Sequence, residues 1–366
     1  MPWNWQLPNW PKFTYHSDQI AQTEKQFLLG IGSAFAYMKT IDKQEHRQFV
    51  VEMLSTEGLE SSKIEGEILD RESLQSSIKQ HFGLQVSLRQ KDEKESNMAA
   101  LLCNVYESFD EPLTHEMLCK WHAMLFKGST DLADIGRYRT HTEPMQIVSQ
   151  SSRAAVVFFE APPSTEVIAE MTVFIEWFNS CDGSESILCR AAIAHLYFES
   201  IHPFEDGNGR IGRILVEKIL SQGVGHPTLI AVSKTLENNK KKYYSALEKC
   251  NRTLEVHAWV GFFSSMVLEA QKESINLLYF LIQKSKILNA YSDQINPRQL
   301  KALLRIFAEG PKGFDGGLSA ENYISITKAS RPTATRDLTD LVEKGILVKT
   351  GELRHTRYQL NLPTRK

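Results

Sequence analysis

A chain of 366 residues with 42 Lys and Arg against 44 Asp and Glu carries a formal charge of −2, and its 42% hydrophobic and 23% charged residues are those of a globular protein. That balance argues against a nucleic-acid coat, and the sequence has neither a basic start followed by an apolar stretch nor a run of about 18 apolar residues, which argues against secretion and membrane spanning. Cys103, Cys119, Cys181, Cys189 and Cys250 are too sparse for a disulfide framework and lack the two-residue gap of a zinc or redox site, so a cytoplasmic protein is expected.

The chain opens on an aromatic strip. Three of the six Trp fall in Pro2-Trp3-Asn4-Trp5 and Trp10-Pro11, with Phe13 and Tyr15 following; such a strip docks on the chain's own helices or serves as a ligand for another protein. Residues 18–60 predict two antiparallel helices, with Ile20, Phe27, Leu28, Ile31 and Phe35 in one register and Phe49, Val50, Met53 and Leu54 in the next. A polar stretch over 85–96 suggests a domain boundary near residue 95. Thr114 then caps a helix carrying Met117, Leu118, Trp121 and Leu125, with Gly128 past its end. Two short β-type runs, 145–148 and 155–159, flank a Ser-Gln-Ser-Ser-Arg turn and predict a hairpin, ended by Pro162-Pro163.

Core helices follow over 164–179 and 187–199, and two or three more from 240 to about 286, before an exposed connection at 292–297. Residues 298–360 have the outline of a winged helix-turn-helix, with a longer helix over 332–344 and a two-stranded wing at 345–348 and 358–360. Arg331, Arg336 and Lys344 on that helix are offset by Asp337, Asp340 and Glu343, so its positive field is weak and a domain kept for protein contacts is the favoured reading over DNA binding.

The chemistry concentrates in Ser200-Ile201-His202-Pro203-Phe204-Glu205-Asp206-Gly207-Asn208-Gly209-Arg210-Ile211-Gly212-Arg213. Gly207, Asn208 and Gly209 precede an apolar helix, where backbone N–H groups and the helix dipole favour a phosphate. Arg210 and Arg213, three residues apart, share a helical face and can hold further phosphates. Asp206 suits Mg²⁺, which takes one or two carboxylates together with phosphate oxygens, and His202 stands four residues before it as a general base. Attack on an α-phosphorus needs such a base, a metal and fixed positive charge.

This segment resembles the signature of the Fic (filamentation induced by cAMP) family, His-x-Phe-x-(Asp or Glu)-Gly-Asn-Gly-Arg-x-x-Arg, at every specified position. Residues 113–262 have the element order of a Fic core, and the Trp-Pro arm resembles a domain found ahead of some Fic cores. The resemblance implies a mainly α fold: a Fic-type helical core with a β-hairpin flap, plus the C-terminal winged helix-turn-helix. The domains expected are 1–95, 96–290 and 291–366. It also implies a protein adenylyltransferase that moves AMP from ATP to a Ser, Thr or Tyr hydroxyl of a target protein. His202 would be the base, Asp206 the Mg²⁺ ligand, and Gly207, Asn208 and Gly209 the phosphate cradle. Arg210 would bind the transferring region, Arg213 the γ-phosphate, and Phe204 would anchor the loop. Gly209 argues for AMP transfer, because in Doc-type kinases of the family Lys stands there.

Three further pieces resemble the family. Tyr244 and Asn251 match a helix that borders the adenine, and Met145, Gln146, Ile147 and Val148 lie where the flap holds a target by strand addition. Ser61, Glu65 and Gly66 match the inhibitory motif (Ser or Thr)-x-x-x-Glu-(Gly or Asn), although read alone they are a helix end with a solvated Glu. The resemblance implies that Glu65 occupies Arg213 in place of the γ-phosphate, so that ATP binds with its α-phosphate misaligned and basal activity is low. In some relatives that Glu also positions a water that removes AMP. A homodimer is expected as well. The competing readings are a nucleotide-sensing regulator that binds DNA through its winged helix, and a Fic transferase that uses another donor such as UMP or phosphocholine.

Overall fold

Apolar residues at helical spacing become helices in the computed structural model, which describes residues 1–85, 92–148, 156–180, 183, 185–311, 313–314 and 316–362. The expected turn at 149–153 and Cys181 lie outside the described residues. By their contacts the residues divide into two units, Met1–Phe35 with Arg47–Ser274 and Ala36–His46 with Ile275–Lys366. The polar stretch near residue 95 thus falls inside the first unit, and the helix that starts there packs on the one before it.

Helices α1 (Ala21–Met38) and α2 (Lys43–Ile64) form where the two N-terminal registers lie, and Gly66, at φ 84°, ends the second. Asp70 accepts from the Ser73 N–H to start α3 (Arg71–His81), which packs on α4 (Glu93–Glu107). Thr114 caps α5 (His115–Leu125) through the Met117 N–H at 3.1 Å. Strands β1 (Gln146–Val148) and β2 (Val157–Glu160) pair antiparallel, Gln146 opposite Glu160, with an irregularity after Ile147. Then come α6 (Val167–Asn179), α7 (Ile187–Ile201), α8 (Asn208–Val224), α9 (Val232–Asn238), α10 (Lys240–Cys250) and α11 (His257–Ala290).

At the centre of the first unit lies α7, where only Ile187 and Glu199 are not fully buried. Such a helix is apolar on every side because neighbours cover every side. Its main partner is α8, so the loop between them, residues 202–207, is clamped at both ends by the best-packed pair in the molecule. The aromatic strip lies on the same unit: Trp10 meets Tyr197 edge-on, Trp3 meets Phe159, and the Thr14 N–H donates to the Leu254 carbonyl at 2.8 Å.

In the second unit α12 (Pro297–Ala308), α13 (Ala320–Thr327) and α14 (Arg331–Glu343) precede an antiparallel hairpin of β3 (Leu347–Thr350) and β4 (Arg357–Leu360). Leu303, Phe307, Tyr323, Leu338, Leu341 and Leu347 fill its core. This is the element order expected from the sequence for residues 298–360.

Candidate active site

His202 ends α7 in the left-handed conformation, φ 51° and ψ 58°, which turns the chain sharply into the loop. Several buried contacts hold that strained turn. The Arg139 guanidinium donates to the carbonyls of His202 (2.9 Å) and Pro162, and the Arg139 N–H to that of Pro203 (3.0 Å). Phe204 is fully buried and stacks on His122 at 4.3 Å. The Gly136 N–H donates to His122 Nδ1, so His122 Nε2 keeps its proton and donates to the Asp206 carbonyl at 3.2 Å. Burial pulls the His122 pKa down to about 4, which keeps this neutral tautomer in place.

Asn208 faces inward. Its side chain accepts from the Phe204 N–H (2.9 Å) and donates to the Phe204 carbonyl (2.8 Å), closing the loop on itself. Its share in a phosphate cradle is therefore its backbone N–H. The first intrahelical bond of α8 runs from the Ile211 N–H to the Gly207 carbonyl, so the N–H groups of Asn208, Gly209 and Arg210 precede it at the positive end of the helix. Gly207, at φ 79°, has no room for a side chain: a Cβ there would lie 2.7 Å from the Phe126 ring. Glu205 accepts from the Ala133 and Asp134 N–H groups and braces the loop from its other side.

His202 and Glu199 are coupled. The His202 Nδ1 lies 3.4 Å from the Glu199 carbonyl and 3.8 Å from the Glu199 carboxyl, which leaves Nε2 as the nitrogen able to take a proton. Burial and then the Arg139 charge lower the His202 pKa to about 4, so the ring is neutral at physiological pH. Burial, reinforced by the Glu65 charge, raises that of Glu199 to about 8, and its Oε1 has no hydrogen-bond partner among the described residues.

The two arginines of α8 differ in setting. Arg213 is 1% exposed; its Nε donates to Ser61 Oγ (2.9 Å) and its Nη2 to the Ser61 carbonyl (2.9 Å) and to Glu65 Oε1 (2.7 Å). Burial alone would disfavour its charge, but Glu65, together with Tyr243 and Glu199, outweighs that and holds its pKa above the ordinary value. Arg210 is buried too, at 6% exposure, but its partners are more open: Glu67 (2.8 Å), itself paired with Lys94, and Asp206 (3.5 Å), with the guanidinium over the Phe126 ring. Glu65 stays partly open to solvent, with 30% of its side chain exposed, but it is more than a free helix end. A Cβ built on Gly209 would meet Glu65 Oε1 at 2.2 Å, so the carboxylate lies against the head of α8 as well as on Arg213. A cavity of about 480 Å³ opens beside it, lined by Glu65, Glu67, Lys94, Phe126, Asp206 and Arg210.

Comparison with known proteins bears on what such a site belongs to. Residues 112–220 match the Fic/DOC family, and residues 3–84 match a domain of unknown function, DUF4172. Residues 112–220 form a Fic/DOC domain. A probable protein adenylyltransferase of Aquifex aeolicus is 33% identical over 91 residues, 25% of this chain and 26% of that protein. A protein adenylyltransferase of Caenorhabditis elegans is 25% identical over 233 residues, 61% of this chain and 41% of that protein. The chain thus spans between about a quarter and two fifths of these curated relatives. A Fic family protein from Desulfovibrio desulfuricans G20 shares the fold at 20% identity with a TM-score of 0.54, covering 97% of this chain and 99% of that one. A Fic domain containing signaling protein from Bacteroides thetaiotaomicron has a TM-score of 0.51 at 21% identity, covering 68% of this chain and 97% of that one. The two family matches fall on either side of residue 95.

Other residues singled out in the sequence lie around the same loop. Tyr244 OH stands 3.5 Å from the Ile64 carbonyl, at the end of α2. Asn251 donates through Nδ2 to the Phe158 carbonyl of β2 (2.9 Å), and its own carbonyl accepts from the Asn4 N–H (2.8 Å). The side chains of Ile147 and Val148 are exposed on β1, and no described strand other than β2 pairs with it. Asp206, the one residue named for a metal, accepts from the Gly207 N–H (2.6 Å) and faces Arg210 (3.5 Å), and no three ligating side chains converge among the described residues. One exposed carboxylate fits a cation that takes most of its ligands from phosphates and water.

Sequence reasoning missed Arg139, Glu199 and Glu67. Glu199 was within reach, since it stands three residues before His202 on the same helix. Arg139 and Glu67 meet the loop from 63 and 143 residues away and carry no local signal.

Proposed function

We propose that this chain is a protein adenylyltransferase that moves AMP from ATP to a hydroxyl side chain of a target protein, held at low activity by Glu65. The observation that carries the reading is the carboxylate of Glu65 on Arg213 and against Gly209, an internal anion where phosphate would bind. Burying a guanidinium costs several kcal/mol unless an anion and hydrogen bonds accompany it. Arg213 therefore needs a negative partner in every state, and a γ-phosphate is the natural replacement when α2 withdraws. The names of the adenylyltransferase relatives favour ATP as donor over UMP or phosphocholine carriers.

In this reading the target lies along β1, joined by main-chain pairing that brings its hydroxyl to His202. The hydroxyl oxygen attacks the α-phosphorus, the bond to the bridging oxygen of the β-phosphate breaks, and pyrophosphate leaves. The proton passes to His202 Nε2, which is free to accept it because the ring is neutral. The N–H groups of Asn208, Gly209 and Arg210 and the Arg210 guanidinium stabilise the charge that develops on the phosphate oxygens. Asp206 would hold Mg²⁺, which screens the phosphates when bound. While Glu65 keeps Arg213, the γ-phosphate has no anchor and the α-phosphate is not in line with the hydroxyl.

Intact-mass spectrometry of wild type, Glu65→Gly and Glu65→Gly/His202→Ala after incubation with Mg-ATP and cell lysate tests this. An AMP increment on the single variant or a lysate protein, absent from the other two samples, is expected. No increment from any variant would overturn the assignment.

A further inference from the structure

The formal charge of −2 conceals an uneven distribution. Residues 275–366 carry 15 Lys and Arg against 8 Asp and Glu, whereas residues 1–274 carry 27 against 36. A basic segment on an otherwise acidic chain marks an anionic partner.

The structure also changes the charge reading of α14. Asp337 is buried and taken up by Arg298 (2.9 and 3.2 Å), the Tyr323 hydroxyl (2.9 Å) and Asn296 (3.1 Å). Asp340 accepts from Gln299 (2.7 Å) and is paired with Lys344. Asp337 is thus spent inside the unit, and Asp340, 39% exposed, and Lys344 neutralise each other, which leaves Arg331 and Arg336 against Glu343. The positions turned to solvent are Arg331, Pro332, Thr335, Arg336 and Thr339, one continuous helical face, with Glu343 at its far end. Arg331 has an exposed partner, Glu321 at 3.3 Å, a pair worth little and easily exchanged for phosphate. Lys328 precedes the helix and Lys349 is exposed on the hairpin that follows.

We propose that the exposed face of α14, with the β3–β4 hairpin beside it, binds double-stranded DNA. From Arg331 to Thr339 the face is about 12 Å long at the rise of an α-helix, and a helix of this kind enters the B-form major groove. Arg and Thr are side chains that donate to phosphates and to base edges there. Duplex RNA is the poorer match, because its deep, narrow major groove does not admit a helix. An anionic membrane is the poorer match as well, since α14 exposes no large hydrophobic residue and the hairpin beside it only Val348 and Leu353, too few for an apolar face to insert. This inference is independent of AMP transfer, which uses residues of the first unit.

The test is fluorescence anisotropy of the full chain with a fluorescein-labelled 30-base-pair DNA duplex of mixed sequence, titrated from 50 to 300 mM NaCl. Binding is expected with a slope of log affinity on log salt of about −3, for three or four phosphates. R331A/R336A should lower affinity at least tenfold at 100 mM salt, and Lys349→Ala should flatten the slope by about one. Each variant is accepted if it melts as wild type and keeps the wild-type far-ultraviolet circular dichroism spectrum. No binding at 50 mM salt overturns the proposal. So does binding that R331A/R336A leaves unchanged, or equal affinity for duplex RNA or phosphatidylglycerol vesicles.

Discussion

Arg210 and Arg213 stand three residues apart on one face of α8, and the protein treats them in opposite ways. Arg213 is sealed, with two bonds to Ser61 of α2 and one to Glu65 just past the end of that helix. Arg210 is held at the rim by Glu67 and Asp206, two side chains on short segments of loop. The difference teaches that an anion can reach Arg210 by displacing a side chain, whereas it reaches Arg213 only if the end of α2 yields. Under the proposed function, a brake built on the inner arginine is therefore tight, and the outer one is left to serve the reacting phosphate.

The largest effect expected is from Arg213→Ala in the Glu65→Gly background: loss of AMP transfer by at least a hundredfold, measured with radiolabelled ATP, because no residue replaces the γ-phosphate anchor. Comparable activity in that double variant would erase the distinction between the two arginines. Next is the stability of Glu65→Gly itself. Removing the carboxylate leaves a buried guanidinium with only its two Ser61 bonds, which should cost about 2 kcal/mol of unfolding free energy in urea, and Mg-ATP should restore it more than Mg-AMP does. Arg210→Ala in the released background should reduce transfer ten- to a hundredfold while lowering the urea midpoint less than Glu65→Gly does, since the buried charge leaves with the side chain and the carboxylates of Glu67 and Asp206, 23% and 57% exposed, reach water.

The pH profile sharpens the comparison from the other end of the loop. The folded pKa of His202 is lowered to about 4, so its base form persists well below the ordinary imidazole range. Transfer by Glu65→Gly should be nearly as fast at pH 5.5 as at pH 7.5 and fall only as pH drops through about 4. An inflection near 6.5 would mean an unshifted base. His195 is buried against Tyr243 with its pKa lowered to about 3, so the fold binds fewer protons than the unfolded chain between about pH 3 and 6.5. Its contribution to stability is present above 6.5 and is lost as pH falls towards 3. The smallest effect expected is from Glu67→Gln, which loosens Arg210 without baring the inner site and should change basal transfer by no more than about threefold.

The parts that were legible in the sequence are those whose parts are contiguous. His202, Phe204, Asp206, Gly207 and the two arginines fall within twelve residues, and the backbone requirements of the turn dictate their types. The helices of both units could be read from their apolar registers. The Glu65–Arg213 pair spans 148 residues, and only its likeness to a motif joined the two in advance. Asn208 was assigned to phosphate by its neighbours, although its side chain closes the loop. The charge of α14 was summed along the chain, and a sum does not record that Asp337 is buried while Thr335, Arg336 and Thr339 face outward. Helical spacing could have separated them.

The central claim is that Glu65 stands where the γ-phosphate goes, and nucleotide affinity measures it most directly. Isothermal titration of wild type and Glu65→Gly with Mg-ATP and AMP separates the phosphates. At least a tenfold gain in ATP affinity on removing Glu65, with AMP affinity changed less than about twofold, is the predicted result. An equal gain for AMP, or no gain for ATP, would contradict it.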